Sequence, residues 1–168
     1  MCNESIPVFF WFADGENGYC SNWYPADFTA DGLVFHNMEQ FKMYHRAILF
    51  GDEASAKKIL ETADPETAKN LGMAVQPTDE ATWEANYYDM VKRGLIAKFE
   101  QNADICEQLL ATGDRLIAEA SPYDDINGIG LSAEDAANIP MEQWPGTNLL
   151  GKALMEVRTA PGIVDVCP

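Results

Sequence analysis

Hydrophobic residues occur along this chain in short runs that are separated by glycine, proline and polar residues. The apolar and aromatic run at residues 7–12 predicts a buried strand, and the run at 33–36, which follows Asp31 and Gly32, predicts a second. Together the two strands predict a small sheet. A further strand is expected over residues 115–120, and it leads into a loop that begins Ser-Pro.

Start and stop signals divide most of the remaining chain into helices. Asn37, Asp52 and Asp64 are suited to cap helices, and Gly51 and Gly72 are typical of helix ends. The predicted helices cover residues 38–50, 53–61, 65–72, 79–98, 103–112, 132–141 and 148–158. The pattern predicts an α+β fold, with a predominantly helical single domain and a small sheet over residues 1–158. Residues 159–168 show no period and are expected to form a loosely attached tail.

Composition and charge narrow the classes of function. A chain of 168 residues with 47% hydrophobic content can bury a full core. The net charge of -16 argues against an extended nucleic-acid surface, although a small phosphate ester in a locally basic pocket remains allowed. No apolar run is long enough to span a membrane, and the first residues lack the pattern of a signal peptide, so a cytoplasmic location is expected.

The cysteines and histidines do not predict metal chemistry. The four cysteines are widely scattered without a CxxC pair, so neither zinc nor disulfides are expected. His36 and His45 are nine residues apart and do not form an HExxH motif. We therefore expect no metal and no bound cofactor. The oligomeric state is not predicted by any pattern in the chain.

The predicted helix over residues 38–50 carries charged residues at helical spacing. Glu39, Lys42 and Arg46 lie at i, i+3 and i+7, so one acid and two bases share a face. One interpretation is a solvated stripe, in which each pair stabilises the helix by only about 0.2 to 0.5 kcal/mol. The other is that the core packs on Phe41 and Tyr44, and the charged face lines a cleft.

The loop over residues 121–130 reads SPYDDINGIG and has the composition of a binding loop. Ser121, Asp124 and Asn127 supply polar groups, and the closely spaced glycines that include Gly128 would let the backbone approach a polar ligand.

A set of short segments connects these features with a known family. In chain order they are CSNWYPADF (20–28), MEQF (38–41), FGD (50–52), DP (64–65), KNLG (69–72), Trp83, AKFEQN (97–102), TGD (112–114), EASPYD (119–124), GIG (128–130), NLLG (148–151) and MEVR (155–158). Through these segments, over about residues 8–158, the chain resembles the NADAR family, which includes the YbiA-type N-glycosidases.

The resemblance implies cleavage of an N-glycosidic bond between a ribosyl carbon and a nitrogen. Substrates proposed for the family include early riboflavin-pathway ribosylamine phosphates and ADP-ribose attached to guanine. Such a bond breaks through an oxocarbenium-like centre, which a carboxylate stabilises. We expect Glu39 to be that carboxylate, with Asp124 as the second candidate. Lys42 is the amine that could trap a ring-opened sugar, and Lys98 is another.

The remaining candidate residues are expected to bind the substrate. Amides suit ribose hydroxyls, tryptophans can stack on a base if they are not used for core packing, and a guanidinium can hold a phosphate or carboxylate. The candidates are Asn22, Trp23, Arg46, Trp83, Lys98, Ser121, Asn127, Gly128 and Asn148.

Three positions depart from the family pattern. Arg46 replaces a lysine and cannot form a Schiff base, Asn127 replaces a tryptophan, and Met73 replaces an arginine. These changes leave open a protein that binds an ADP-ribose-like or NAD-derived ligand without turnover. An acidic interaction module is a third hypothesis, with the net charge as its only support.

Overall fold

The computed structural model describes residues 6–166, and the chain forms two compact units. Asn22–Asn102 form one unit, called here the central unit. Met1–Ser21 and Ala103–Pro168 form the other, called the terminal unit. Eight α-helices and four short strands are present among the described residues. The predicted α+β class, mainly helical with little sheet, is confirmed, and the single domain over residues 1–158 stays a prediction.

The central unit begins with a hairpin. Strands β2, Phe28–Ala30, and β3, Leu33–Phe35, pair antiparallel. The turn residues Asp31 and Gly32 have positive φ angles of 53° and 77°, which suit the right-handed twist of a two-residue hairpin. The sequence pattern predicted β3 but missed β2, because Phe28–Ala30 contains only one large apolar side chain and Leu33–Phe35 contains three.

Four helices follow the hairpin: α1, Met38–Leu49; α2, Glu53–Leu60; α3, Pro65–Met73; and α4, Glu80–Glu100. The predicted caps Asn37, Asp52 and Asp64 are confirmed, because each side chain accepts a hydrogen bond from the amide three residues later. Hydrogen bonds from a hydroxyl and an amide lower the pKa of the Asp52 and Asp64 carboxyls.

Gly72 was expected to end its helix, and this prediction is wrong. The helix continues to Met73, and Gly72 lies within it. A Cβ atom at Gly72 would lie 2.3 Å from the Met43 sulfur. The missing side chain therefore lets α3 pack closely on α1.

The core of the central unit fixes the rotation of α1. Phe28, Phe35 and Phe41 are buried against one another, with ring centroids 5.1 to 5.8 Å apart. A Cβ atom at Gly94 of α4 would lie 2.6 Å from the Phe41 ring, so the two helices are in close contact there. Met43 and Ala47 pack in a second apolar cluster.

The terminal unit contains a parallel strand pair. Strand β1, Val8–Phe10, pairs with β4, Ile117–Glu119, in the register Val8 to Ile117. The expectation that the runs at 7–12 and 33–36 form one sheet is wrong, because β1 and β3 belong to separate two-stranded sheets. The partner of β1 lies more than 100 residues away in sequence, a pairing that local patterns do not encode.

The helices of the terminal unit are α5, Ala103–Ala111; α6, Ala133–Ala136; α7, Leu149–Arg158; and α8, Pro161–Val166. The predicted helix over 132–141 is wrong beyond Ala136, because Pro140 lacks an amide hydrogen and disfavours helix in the residue before it. A separate 3-10 turn covers Met141–Gln143.

The expected loose tail is also wrong where the structure describes it. Pro161 occupies the first position of α8, where proline is favoured, and Ile163 is fully buried. Residues 167–168 lie outside the described residues. Cys20 is buried and is not in a disulfide, whereas Cys106 is disulfide-bonded, so the expectation of no disulfide is wrong at Cys106. None of the helices between residues 6 and 166 is long and apolar enough to cross a membrane.

Candidate functional site

The charged face of α1 is buried. Glu39, Lys42 and Arg46 expose only 4%, 6% and 5% of their surface. Lys42 Nζ lies 3.0 Å from Glu39 Oε2, which makes an ion pair with both side chains removed from bulk solvent. The interpretation as a solvated stripe is therefore wrong, and the alternative, a charged face turned inward, fits the burial.

Aromatic rings of α4 cover the two cations. Lys42 Nζ lies 5.8 Å from the centroid of the Tyr87 ring. The guanidinium carbon of Arg46 lies 4.9 Å from the Trp83 ring, and the Trp83 and Tyr87 rings are 5.2 Å apart. Cations are attracted to the negative faces of such rings, by about 0.5 to 2 kcal/mol each. One continuous face therefore joins Glu39 to Trp83.

Arg46 has no anionic partner among the described residues. Its Nε atom is buried without a hydrogen bond, and within residues 6–166 its guanidinium forms no ion pair. The ring of Phe50, 5.6 Å away, adds no acceptor. A buried charge without a partner is costly, so buried guanidinium groups in proteins are normally paired. The position is suited to an anion supplied by a ligand.

The start of α1 is held by its neighbours. The Glu39 amide donates to the Asn22 carbonyl at 2.9 Å, and the side-chain oxygen of Asn22 is buried without a hydrogen-bond partner within the described chain. Gln40 Nε2 donates to the carbonyls of Ile59 and Thr62 at 3.0 and 2.7 Å. The fully buried Gln40 therefore fixes α1 to the end of α2.

The role of Gln40 was not predicted from the sequence. The signal was present, because Gln40 is a polar residue beside Glu39 in the MEQF segment. Tyr87 was not predicted as a site residue, since a periodic aromatic residue does not reveal which side chain it will contact.

Two other candidates of the central unit differ in exposure. Trp23 is 39% exposed, so part of its ring is open to a ligand. Lys98 is fully buried, with Nζ 5.5 Å from the Tyr24 ring and 5.2 Å from the Phe99 ring. Their roles in binding stay predictions.

In the terminal unit, Asp124 shapes the loop that follows β4. Its Oδ1 atom accepts hydrogen bonds from the amides of Ile126 and Asn127 at 2.9 and 2.8 Å. Its Oδ2 atom accepts one from Asn127 Nδ2 at 3.2 Å. This is an Asx turn, in which the carboxylate replaces a backbone acceptor. The structure thus gives Asp124 and Asn127 a local role, and their contact with a substrate stays a prediction.

The glycines of this loop approach other parts of the same loop. A Cβ atom at Gly128 would lie 2.8 Å from the carbonyl oxygens of Glu119 and Asp124, and one at Gly146 would lie 2.3 Å from the Gly128 carbonyl. The missing side chain of Gly128 therefore lets the loop close on itself, and contact of its backbone with a ligand stays a prediction. Ser121 is buried, and its hydroxyl accepts from the Tyr123 amide at 3.4 Å.

Asn148 completes the edge of β4. Its side-chain oxygen accepts from the Glu119 amide at 3.1 Å, and its Nδ2 atom donates to the Ile117 carbonyl at 2.9 Å. These groups point away from β1, which bonds the alternate residues of β4. The Asn148 amide therefore forms the two backbone hydrogen bonds that a third strand would form with β4. This role differs from the predicted hydrogen bonds to ribose hydroxyls.

The amides at the start of α7 are already bonded. Asn148, Leu149 and Leu150 donate to carbonyls of loop residues 126–128. Helix N-termini can bind phosphate when their amides are open, but these amides are satisfied by the loop. The described residues contain no group of three or more His, Cys, Asp or Glu side chains that could hold a metal ion.

Comparison with known proteins identifies the family. The model of the NADAR domain matches residues 9–160. The chain belongs to the NADAR family. It is 43% identical over 143 residues to N-glycosidase R617 of Acanthamoeba polyphaga mimivirus, a match that covers 82% of this chain and 84% of that protein. It is 30% identical to riboflavin biosynthesis protein VVA0006 of Vibrio vulnificus, over 90% of this chain and 38% of that protein.

The NADAR fold is also seen in a solved structure. The NMR structure of the Escherichia coli protein YbiA aligns with a TM-score of 0.74 at 24% identity, covering 94% of this chain and 87% of YbiA. The predicted YbiA-like fold is therefore confirmed.

Replacing Asn148 tests its role at the edge of β4. We expect Asn148→Ala to lower the free energy of unfolding by about 2 to 4 kcal/mol, because one buried and one partly buried backbone group lose their partner. Chemical denaturation measures the effect. Asn138→Ala, at an exposed position, is the control and should change stability by less than about 0.5 kcal/mol. Equal stability of the two variants would contradict the assignment.

Proposed function

We propose that this NADAR chain is an N-glycosidase that hydrolyses the N-glycosidic bond of a ribosyl-phosphate or ADP-ribosyl nucleotide-like substrate. The single observation that carries the proposal is the buried ion pair of Glu39 with Lys42. An acid and an amine held in contact away from bulk water can exchange a proton during a reaction. The names of the similar proteins, N-glycosidase R617 among them, support the same class of reaction.

Glu39 acts on the sugar in the proposed mechanism. When the bond between the ribosyl carbon and nitrogen breaks, positive charge develops on the sugar ring, and the nearby carboxylate stabilises it. A water molecule then bonds to the ribosyl carbon and gives its proton to Glu39. The water oxygen becomes the new hydroxyl of the sugar.

Lys42 acts on the leaving base. Its ammonium donates a proton to the departing nitrogen as the bond breaks, so the base leaves as a neutral molecule. The proton that Glu39 gained from water then returns to Lys42 across the 3.0 Å contact. Both residues regain their starting states, and the sum of the steps is substrate plus water to free sugar plus free base.

Glu39→Gln tests the catalytic role. The substrates are ADP-ribosylated guanosine and a ribosylamine phosphate, and chromatography measures the released base. We expect base release to fall by about 100-fold to 10,000-fold, because an amide cannot accept the water proton. Glu53→Gln is the control, at an exposed acid in the first turn of α2. Undiminished release in the folded Glu39→Gln variant would refute the mechanism.

The alternative function is capture of an ADP-ribose-like or NAD-derived ligand without turnover. Arg46 favours it, because a buried guanidinium without an acidic partner in the described chain can hold phosphate or carboxylate in a planar fork. Asn127 and the exposed Met73 also lack the aromatic and cationic groups that the family pattern has at these positions. Recovery of the bound ligand unchanged would distinguish capture from hydrolysis.

Arg46→Gln tests the anion contact that both functions use. We expect the affinity for ribose 5-phosphate to fall by about 10-fold to 100-fold, because hydrogen bonds to a charged group are lost, while the weaker affinity for ribose stays unchanged. Isothermal titration measures both. Lys57→Gln is the control, at an exposed cation of the same unit. Equal affinity of Arg46→Gln and the unsubstituted chain for ribose 5-phosphate would exclude this contact.

A further inference from the structure

Three aromatic side chains of the terminal unit meet at one end of its strand pair. Trp11 and Phe12 directly follow β1, and Tyr123 lies in the loop that follows β4. The Trp11 and Phe12 rings are stacked with centroids 4.1 Å apart, and the Tyr123 ring lies 5.9 Å from the Trp11 ring. Because β1 and β4 are parallel, the residues that follow them reach the same edge of the sheet. These three residues are called the aromatic platform here.

The aromatic platform is open to solvent. Phe12 is 59% exposed, Tyr123 is 88% exposed, and Trp11 is half-buried. A single exposed apolar residue is common on protein surfaces and needs no explanation. Adjacent exposed aromatic rings are instead typical of surfaces that bind a partner, because each ring supplies a large contact area. The platform is therefore a candidate interaction surface.

The turn after β1 holds part of the platform in place. The Gly15 amide donates to the Phe12 carbonyl at 3.1 Å. A Cβ atom at Gly18 would collide with the Ala13 carbonyl, so the chain can fold back closely here only because this residue is glycine. The backbone that carries the exposed rings is thus ordered before a partner binds, which lowers the entropic cost of binding.

Acidic residues flank the platform in the sequence. Asp14 and Glu16 follow Phe12 closely in the chain. Asp125 follows Tyr123 in the same way, and all three acids are exposed. Within residues 6–166 none of the three forms an ion pair. Carboxylates in this arrangement attract cations and repel polyanions.

The basic residues of the terminal unit do not pair with these acids. They are Arg115, Lys152 and Arg158. Arg115 precedes β4, at the opposite end of the strand from Tyr123, and its carbonyl accepts a hydrogen bond from Arg158 Nη1 at 2.9 Å. Lys152 belongs to α7. The cations that the acids beside the platform favour must therefore come from a binding partner.

We infer that the aromatic platform binds an arginine-bearing segment of a partner protein, with guanidinium groups stacked on the exposed Phe12 and Tyr123 rings and paired with the acids beside them. Arginine is favoured over lysine, because its planar group stacks on aromatic faces and is more weakly hydrated. Nucleic acid could stack bases on the same rings, but the acids repel its phosphates. A second copy of this chain is disfavoured by the net charge of -16.

Titration of the full chain with fluorescent probes tests the inference. The probes are a peptide of alternating arginine and glycine, its lysine counterpart and an oligothymidine strand, at about 0.15 M salt. The arginine peptide should bind about threefold to tenfold more tightly than the lysine peptide, because only the guanidinium stacks well on the rings. Equal affinity for the two peptides, or tighter binding of oligothymidine, would overturn the inference.

Substitution of the rings locates the peptide. The double variant Phe12→Ala with Tyr123→Ala, at exposed positions, should lower the affinity for the arginine peptide about tenfold and remove most of the preference over lysine. Val164→Ala, at an exposed apolar residue of the same unit, is the control. Unchanged affinity of the folded double variant would contradict the inference. So would a dimer in sedimentation experiments that the double variant abolishes, because the platform would then be the contact between copies.

Substitution of the acids separates local charge from net charge, and it decides the matter if the aromatic double variant does not fold. Asp14→Asn with Glu16→Gln should lower the affinity for the arginine peptide about threefold to tenfold. Glu134→Gln with Glu142→Gln removes the same charge at other exposed acids of the terminal unit, and it should change the affinity by less than about twofold. Equal losses in the two double variants would mean general attraction to an acidic protein and would refute the inference.

Discussion

The ion pair between Glu39 and Lys42 is the interaction on which the account of this protein depends. Both side chains are almost fully buried, and their contact spans one turn of α1. Removing two charges from water costs several kcal/mol, which their attraction often fails to repay. A chain that needed only a stable helix packing would place apolar residues here. The burial of the pair is therefore weak evidence for a stabilising role, and it is the observation on which the proposed chemistry rests.

The apolar core makes this arrangement possible. Phe41 packs into the aromatic cluster below the hairpin, and Gly94 lets α4 approach it closely, so the rotation of α1 is fixed. The charged residues then meet the rings of Trp83 and Tyr87. These rings exclude water and attract cations without neutralising them. Arg46 in particular has no anionic partner among the described residues.

Much of the central unit could be predicted from the sequence, because its helix caps and charged helix face depend on residues that are close together in the chain. Asn37 and Asp64 mark helix starts through side chains that bond nearby amides, and the spacing of Glu39 and Lys42 puts them on one face of a helix. The terminal unit was predicted less well. The pairing of β1 with β4 joins residues more than 100 positions apart, and the use of Asn148 as a strand substitute depends on that pairing. Gly128 is a similar case. A glycine indicates that another group packs closely against the backbone, but the sequence does not show which group this is.

The double substitution Glu39→Gln with Lys42→Met tests most directly the claim that the buried ion pair serves catalysis. It removes both charges together, so neither is left buried without a partner. If the pair exists for chemistry, the free energy of unfolding will stay within about 1 kcal/mol of that of the unsubstituted chain or increase. Base release will fall by at least about 100-fold in the same preparation. A large loss of stability, or base release that persists in the folded double variant, would contradict the claim.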